Sequence, residues 1–165
     1  MTVGPAEGFL ERLEVARAHV ERLAEATPPA GALTDADEPT GEQWEWGQVW
    51  GHMAEFPAYW TARLREVFAQ PASADPVPFG RSRTDPVRLA AIEEGRGLST
   101  DQVIVPLRGD LDDVRDLLAD MSAADWERHV HHQVLGEMDM PRALEVFLVG
   151  HLEEHAAQLE GLLPA

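Results

Sequence analysis

His151 and His155 stand four residues apart in a segment whose apolar positions, Leu144, Phe147, Leu148, Leu159 and Leu162, recur at helical spacing. A helix rises about 1.5 Å per residue, so the two imidazoles share one face roughly 6 Å apart along the axis. Both occupy seam positions where neighbouring turns carry leucine. Placing an imidazole in an apolar core is costly unless its ring nitrogens find partners. A single core histidine usually finds a backbone carbonyl or a carboxylate. Two in consecutive layers are served more simply by one shared cation, which needs a third ligand. His52 is the candidate: it follows Val49 by three residues and precedes Phe56 by four, so it leans toward the seam of its own segment. Three histidines with one open position form the ligand pattern of catalytic rather than structural zinc sites, and imidazole also serves nickel and iron.

Other residues near this trio carry chemistry. Glu55 lies in the turn after His52, Glu154 follows His151 by three, and Gln158 follows His155 by three. Each is a candidate to orient a ligand or accept a proton, with Gln158 ranked first because it shares the face of His155. His151-Leu152-Glu153-Glu154-His155 also fits the inverted zinc-peptidase pattern H-x-x-E-H. Those enzymes need a further glutamate ligand well downstream, and ten residues follow His155. His129, His131 and His132 form a second cluster, read as a solvated extended segment in which alternation puts His129 and His131 on one face. The sharper reading has one of them at the mouth of the site, handling protons. His19 lies off its helix stripe and is expected at the surface. Trp44, Trp46, Trp50 and Trp60 surround His52 in sequence, the last three as core packing or as a pocket wall.

Composition narrows the partners. Thirty Asp and Glu against 13 Lys and Arg give a formal net charge of -17. Nucleic-acid binding depends on cationic groups that displace phosphate counterions, and no basic stretch exists, so DNA and RNA are not expected partners. There is no cysteine, which removes disulfides and thiolate ligands. No apolar run reaches bilayer-spanning length, and the first twenty residues lack a basic segment followed by an apolar one; the cytoplasm is the expected compartment.

The elements that must position these residues are helical. The first runs from about Gly8 to Ala26 with the stripe Phe9, Leu13, Ala16, Val20 and Leu23, and Thr27-Pro28-Pro29 ends it. The second covers roughly Glu42 to Gln70, kinked at Pro57. A Pro-rich connection follows from Pro71 to Pro86. A short helix starts at Asp85-Pro86 and ends at Gly95 and Gly97. Ser99 and Gln102 form a capping box for a third long helix carrying Ile104, Leu107, Leu111, Val114, Leu118 and Met121. Pro106 either kinks this helix or marks its start. Ser122 with Asp125 suggests one turn, residues 129–132 look extended, and the fourth helix begins near Pro141 with Asp139 as its cap. One all-α domain over residues 1–165, a four-helix bundle, is the expected architecture.

At this point the residues resemble a known family. WEWGQVWGHMAEFPAYWTARL is similar to the second helix of DinB-like proteins, where an aromatic-led helix carries one metal-binding histidine. DWERHVHHQVLGEMDMPRALEVFLVGHLEEHAAQLEGLL resembles that family's closing section, which ends in a helix bearing H-x-x-x-H. The resemblance implies a four-helix bundle with a crossover between its second and third helices. It also implies a metal held by His52, His151 and His155. The mycothiol-dependent maleylpyruvate isomerase, which has an additional C-terminal domain, and the thiol S-transferases share this bundle.

Four functions are therefore in view. The first is a metal-dependent thiol S-transferase, most simply with zinc, acting on a small molecule. Its thiol would be a low-molecular-weight co-substrate, because the chain has no cysteine. The others are a hydrolase using metal-bound hydroxide, a non-catalytic metal- or ligand-binding bundle of the stress-linked kind, and a metal-free bundle. Symmetric pairing through a helix face is common for such bundles, so a homodimer is an expectation.

Overall fold

The computed structural model describes residues 5–165. Helix α1 spans Pro5–Ala24 and buries Leu13, Ala16, Val20 and Leu23, the expected three-four stripe. It stops short of Thr27-Pro28-Pro29. A loop then leads to Trp44, where Thr34 and Trp44 are tied by two hydrogen bonds: Thr34 N donates to the Trp44 carbonyl at 2.8 Å and Trp44 N to Thr34 Oγ1 at 2.9 Å.

The second long helix is divided into α2, Trp46–Met53, and α3, Phe56–Ala69. The sequence places a kink at Pro57, and the physical break falls just before it, at Ala54 and Glu55. Proline has no N–H to give the Met53 carbonyl, so the turn ahead of it is released. Glu55 N turns back to the His52 carbonyl at 3.1 Å instead.

The crossover from α3 to the third long helix carries strand β1, Val77–Phe79, helix α4, Pro86–Glu94, and a 3-10 turn, Gly95–Gly97. Asp85 caps α4 by accepting from Arg88 N at 3.0 Å, as its Asp-Pro start implied. Helix α5, Thr100–Asp120, opens with the Ser99–Gln102 capping box and runs through Pro106 without interruption. A single turn α6, Ala123–Trp126, leads to a hairpin of β2, His129–His132, and β3, Gly136–Asp139. Strand β2 also pairs in parallel with β1, Val77 opposite Val130, making a three-stranded sheet beside the bundle.

The fourth long helix is divided too. Helix α7, Met140–Phe147, is capped by Asp139, and α8, Val149–Gly161, begins after a break at Leu148. No proline causes this one. A Cβ on Gly150 would strike the Glu145 backbone carbonyl and lie 2.6 Å from its carboxylate, so only glycine lets the two pieces approach. Arg12 on α1 spans the break, bonding Glu145 at 2.6 Å on one side and Glu153 at 2.5 Å on the other.

Helices α1, α2–α3, α5 and α7–α8 enclose one apolar core, the four-helix bundle with a crossover. Position along the bundle is set where α2 meets the end of α4 backbone to backbone. A Cβ on Gly51 would lie 2.7 Å from Gly95 Cα, and one on Gly47 would lie 2.6 Å from the Gly95 carbonyl oxygen. Both obstacles are main chain and cannot rotate away. Gly95, expected only to terminate a helix, is thus also a packing surface. Gly51→Ala should cost about 3 kcal/mol, the upper range for overpacking, read as a lower urea midpoint at unchanged slope.

Candidate metal centre

His52 comes from the last turn of α2, and His151 and His155 from the first two turns of α8. The break at Glu55 ends α2 just past His52, and the break at Leu148 starts α8 just before His151. Both interruptions therefore sit beside the rings they aim. His52 Nε2 lies 3.0 Å from His151 Nε2, and His155 Nε2 lies 3.0 Å from the same atom. All three donor nitrogens fall within 4.8 Å of one another. The spacing is that of ligands on one ion: nitrogens about 2.0–2.1 Å from a tetrahedral zinc are roughly 3.3 Å apart.

The far side of each ring supports the same reading. His155 Nδ1–H donates to Gln158 Oε1 at 2.7 Å, and an amide oxygen can only accept. His151 Nδ1 faces Glu154 Oε2 and His52 Nδ1 faces Glu55 Oε2, each at 3.6 Å. Every ring thus has an acceptor three residues downstream, the three positions singled out in the sequence. A proton on each Nδ1 leaves three lone pairs converging on one point, an arrangement a divalent cation satisfies. His52 Nδ1 is buried without a hydrogen bond, so the site gains if Glu55 closes on it.

Electrostatics keeps His52 and His155 neutral. His52 is 2% exposed and His155 4%. Burial, and then the charges of the other two imidazoles, hold His52 well below the usual histidine range. Burial foremost, with His151 next, pushes His155 down to about 3. Both rings are therefore unprotonated at neutral pH, the form that binds metal.

The walls come from distant segments. Trp44, held by Thr34, stacks on His155 at 5.9 Å and meets His52 edge-on at 5.5 Å. Arg81 pairs with Glu55 and Asp85 and lies 3.8 Å over the Tyr59 ring. Its carbonyl accepts from His132 Nε2–H at 2.9 Å. His132 Nδ1 in turn accepts from the backbone N–H of Val134 and Leu135, each at 3.2 Å. His132 is buried beside the cavity with both nitrogens committed to the backbone, so it holds the hairpin rather than moving protons. His129 and His131 are exposed on the opposite face of β2, as alternation implied, with His129 bonded to Glu137 at 2.8 Å. His19, expected at the surface, is half-buried and lies 3.3 Å from Glu160.

A cavity of about 780 Å³ opens onto the trio. Its lining includes Trp44, Arg88 and Phe147 together with all three histidines. Arg81 and the loop from Leu33 to Glu42 were not singled out in the sequence. An isolated arginine in a Pro- and Gly-rich connection carries no spacing signal.

A helical bundle with three convergent imidazoles beneath a cavity defines the class of protein. The DinB superfamily model matches residues 12–159, and the chain belongs to that superfamily. In fold it is similar to a crystal structure of the mycothiol-dependent maleylpyruvate isomerase, at 16% identity and a TM-score of 0.64, covering 96% of this chain and 63% of the other. A histidine-to-alanine variant of that isomerase gives 14% identity, a TM-score of 0.63 and the same coverages. This chain therefore spans less than two thirds of the length of those structures. No curated protein matches it.

The buried rings give the metal-free protein a pH dependence of fixed sign. The unfolded chain takes up protons near 6.5, while folded His155 refuses them down to about 3. Stability should be full above pH 6.5 and fall as pH drops, by up to about 1.4 kcal/mol per unit for each such ring. Urea unfolding of chelated protein between pH 7.5 and 5 reads this directly, and His155→Gln should flatten the profile. A flat wild-type profile would contradict the assignment.

Proposed function

We propose that the chain holds one divalent ion, zinc in the first instance, on His52, His151 and His155, and uses it as a thiol S-transferase. The observation that carries this is the convergence of three imidazole nitrogens, two of them on rings that burial keeps neutral, at the floor of a cavity large enough for a small molecule. An ion in such a site lowers the pKa of a thiol or water at its open position and so supplies a nucleophile at neutral pH. The chain has no cysteine, so the sulfur belongs to a low-molecular-weight thiol. The fold neighbours are described as mycothiol-dependent, which supports that choice.

The chain's own residues divide the work. Gln158 fixes the orientation of His155 from behind and cannot take a proton at neutral pH, while Glu55, held by Arg81, stands 3.6 Å behind His52. Glu154 is the proton acceptor. It lines the cavity, its side chain is 64% exposed, and the adjacent His151 holds its carboxyl below the usual range, so it is ionised and reachable.

Elemental analysis of protein purified without a histidine tag should find one divalent ion per chain, absent from His155→Ala. Gln158→Leu should bind the ion about 10–100-fold more weakly, whereas Glu154→Gln should keep the ion and lose rate. Turnover of an electrophilic aryl halide should require both metal and a small thiol. Ester hydrolysis without thiol would move the reading to a hydrolase. Turnover that survives both chelation and His155→Ala would end it.

A further inference from the structure

All thirteen basic residues of this chain are arginines. Among the described residues, Arg22, Arg88 and Arg142 alone have no carboxylate within ion-pair distance. Arg22 and Arg142 are exposed, where water solvates them. Arg88 is half-buried, and it lines the cavity above the three histidines. The other two arginines of that cavity are already neutralised, Arg81 by Glu55 and Asp85, and Arg83 by Asp37 at 2.6 Å.

Arg88 is rigidly presented. It sits in the first turn of α4, where its own N–H is bound by the Asp85 cap at 3.0 Å. One guanidinium nitrogen, Nη1, donates to the Arg83 carbonyl at 2.8 Å, and the group lies 5.6 Å over the Trp44 ring. That ring is the one stacked on His155. Arg88, Trp44 and the trio thus follow one another along a single wall. Glu42 and Glu55 reach Arg88 only through space, and burial is the main influence, lowering its pKa. A partly desolvated cation with free donors and no counterion is costly, and an incoming anion removes that cost.

We propose that Arg88 is the anion-binding group of this cavity, and that the substrate carries a single carboxylate attached to an apolar body. The inference rests on reading the cavity as the substrate site. The planar fork of a guanidinium matches a carboxylate in two parallel bonds. Asp35, Asp37, Glu38, Glu42 and Glu154 also line the cavity, and their charge selects against a dianion such as a phosphate monoester. The apolar body is accommodated by Leu33, Val134 and Leu135, which line the same cavity and remain exposed.

Benzoate and its neutral isostere benzamide test this by calorimetric titration, with metal loaded and after chelation. Wild-type protein should bind benzoate at least about tenfold more tightly than benzamide in both states. Arg88→Met should abolish the preference while retaining metal, and Arg88→Lys should keep part of it. Failure of wild type to bind benzoate, equal binding of the two probes, or a preference that persists in Arg88→Met overturns the proposal. A preference that disappears on chelation assigns the carboxylate to the ion and also overturns it. Wild-type protein that takes up no metal yet shows the Arg88-dependent preference leaves this inference standing and removes the metal reading alone.

Discussion

Three imidazole nitrogens face one another at the floor of a cavity, two of them on rings that are almost fully buried. Every other feature of the site follows from that constraint. Two lone pairs at 3.0 Å would repel, so each close pair of nitrogens needs a proton or a cation between them. Protonating a ring would remove the repulsion, but burial opposes it by disfavouring the charged imidazolium. Gln158 holds the His155 proton on its outer nitrogen, while Glu55 and Glu154 stand 3.6 Å from the outer nitrogens of His52 and His151. A cation shared by all three rings would satisfy these nitrogens together, in seam positions that carry leucine one turn away at Leu148 and Leu159.

The geometry is produced by interruptions rather than by regular helix. Two straight helices packed side by side bring residues together along a line, whereas a ligand set must converge on a point. Ending α2 at Met53 and restarting α8 at Val149 turns ring-bearing helix ends toward each other. These breaks are held from outside. Arg81 ties Glu55 to the cap of α4, and Arg12 bridges Glu145 and Glu153 across the second break. The glycine contact between α2 and the end of α4 sets the height at which His52 stands. Close backbone packing and ion pairs thus fix the angles of three side chains.

Much of this was legible in the sequence because it is written in periodicity and caps. The seams, the Asp85 and Asp139 caps and the Ser99–Gln102 box depend on local chemistry, and the spacing of His151 and His155 needs only a helix to become a pair. His52 was legible because it leans toward a strong aromatic seam. The break at Leu148 was not. It has no proline, and its cause is a contact between Gly150 and Glu145 that exists only once the chain has folded. Strand β1 escaped for a related reason: three residues, Val77-Pro78-Phe79, carry no alternation until β2 lies beside them. His132 looked like its neighbours in a histidine run. Alternation put His129 and His131 on one face, but the backbone partners that hold the His132 ring exist only once the hairpin has formed.

The charge pattern adds a constraint that the metal geometry alone does not supply. A chain with net charge -17 repels anions at long range, so its surface does not gather them. An anion that enters must be recognised at short range by a cation that has kept its donors free. Arginines on this surface are almost all paired with the abundant carboxylates, which removes them from that role. Arg88, half-buried beside Trp44 at the start of α4, escapes such pairing: Glu42 and Glu55 act on it only through space. Burial that keeps His52 and His155 neutral thus continues up the wall of the cavity to Arg88, where it is partial and leaves the guanidinium unpaired.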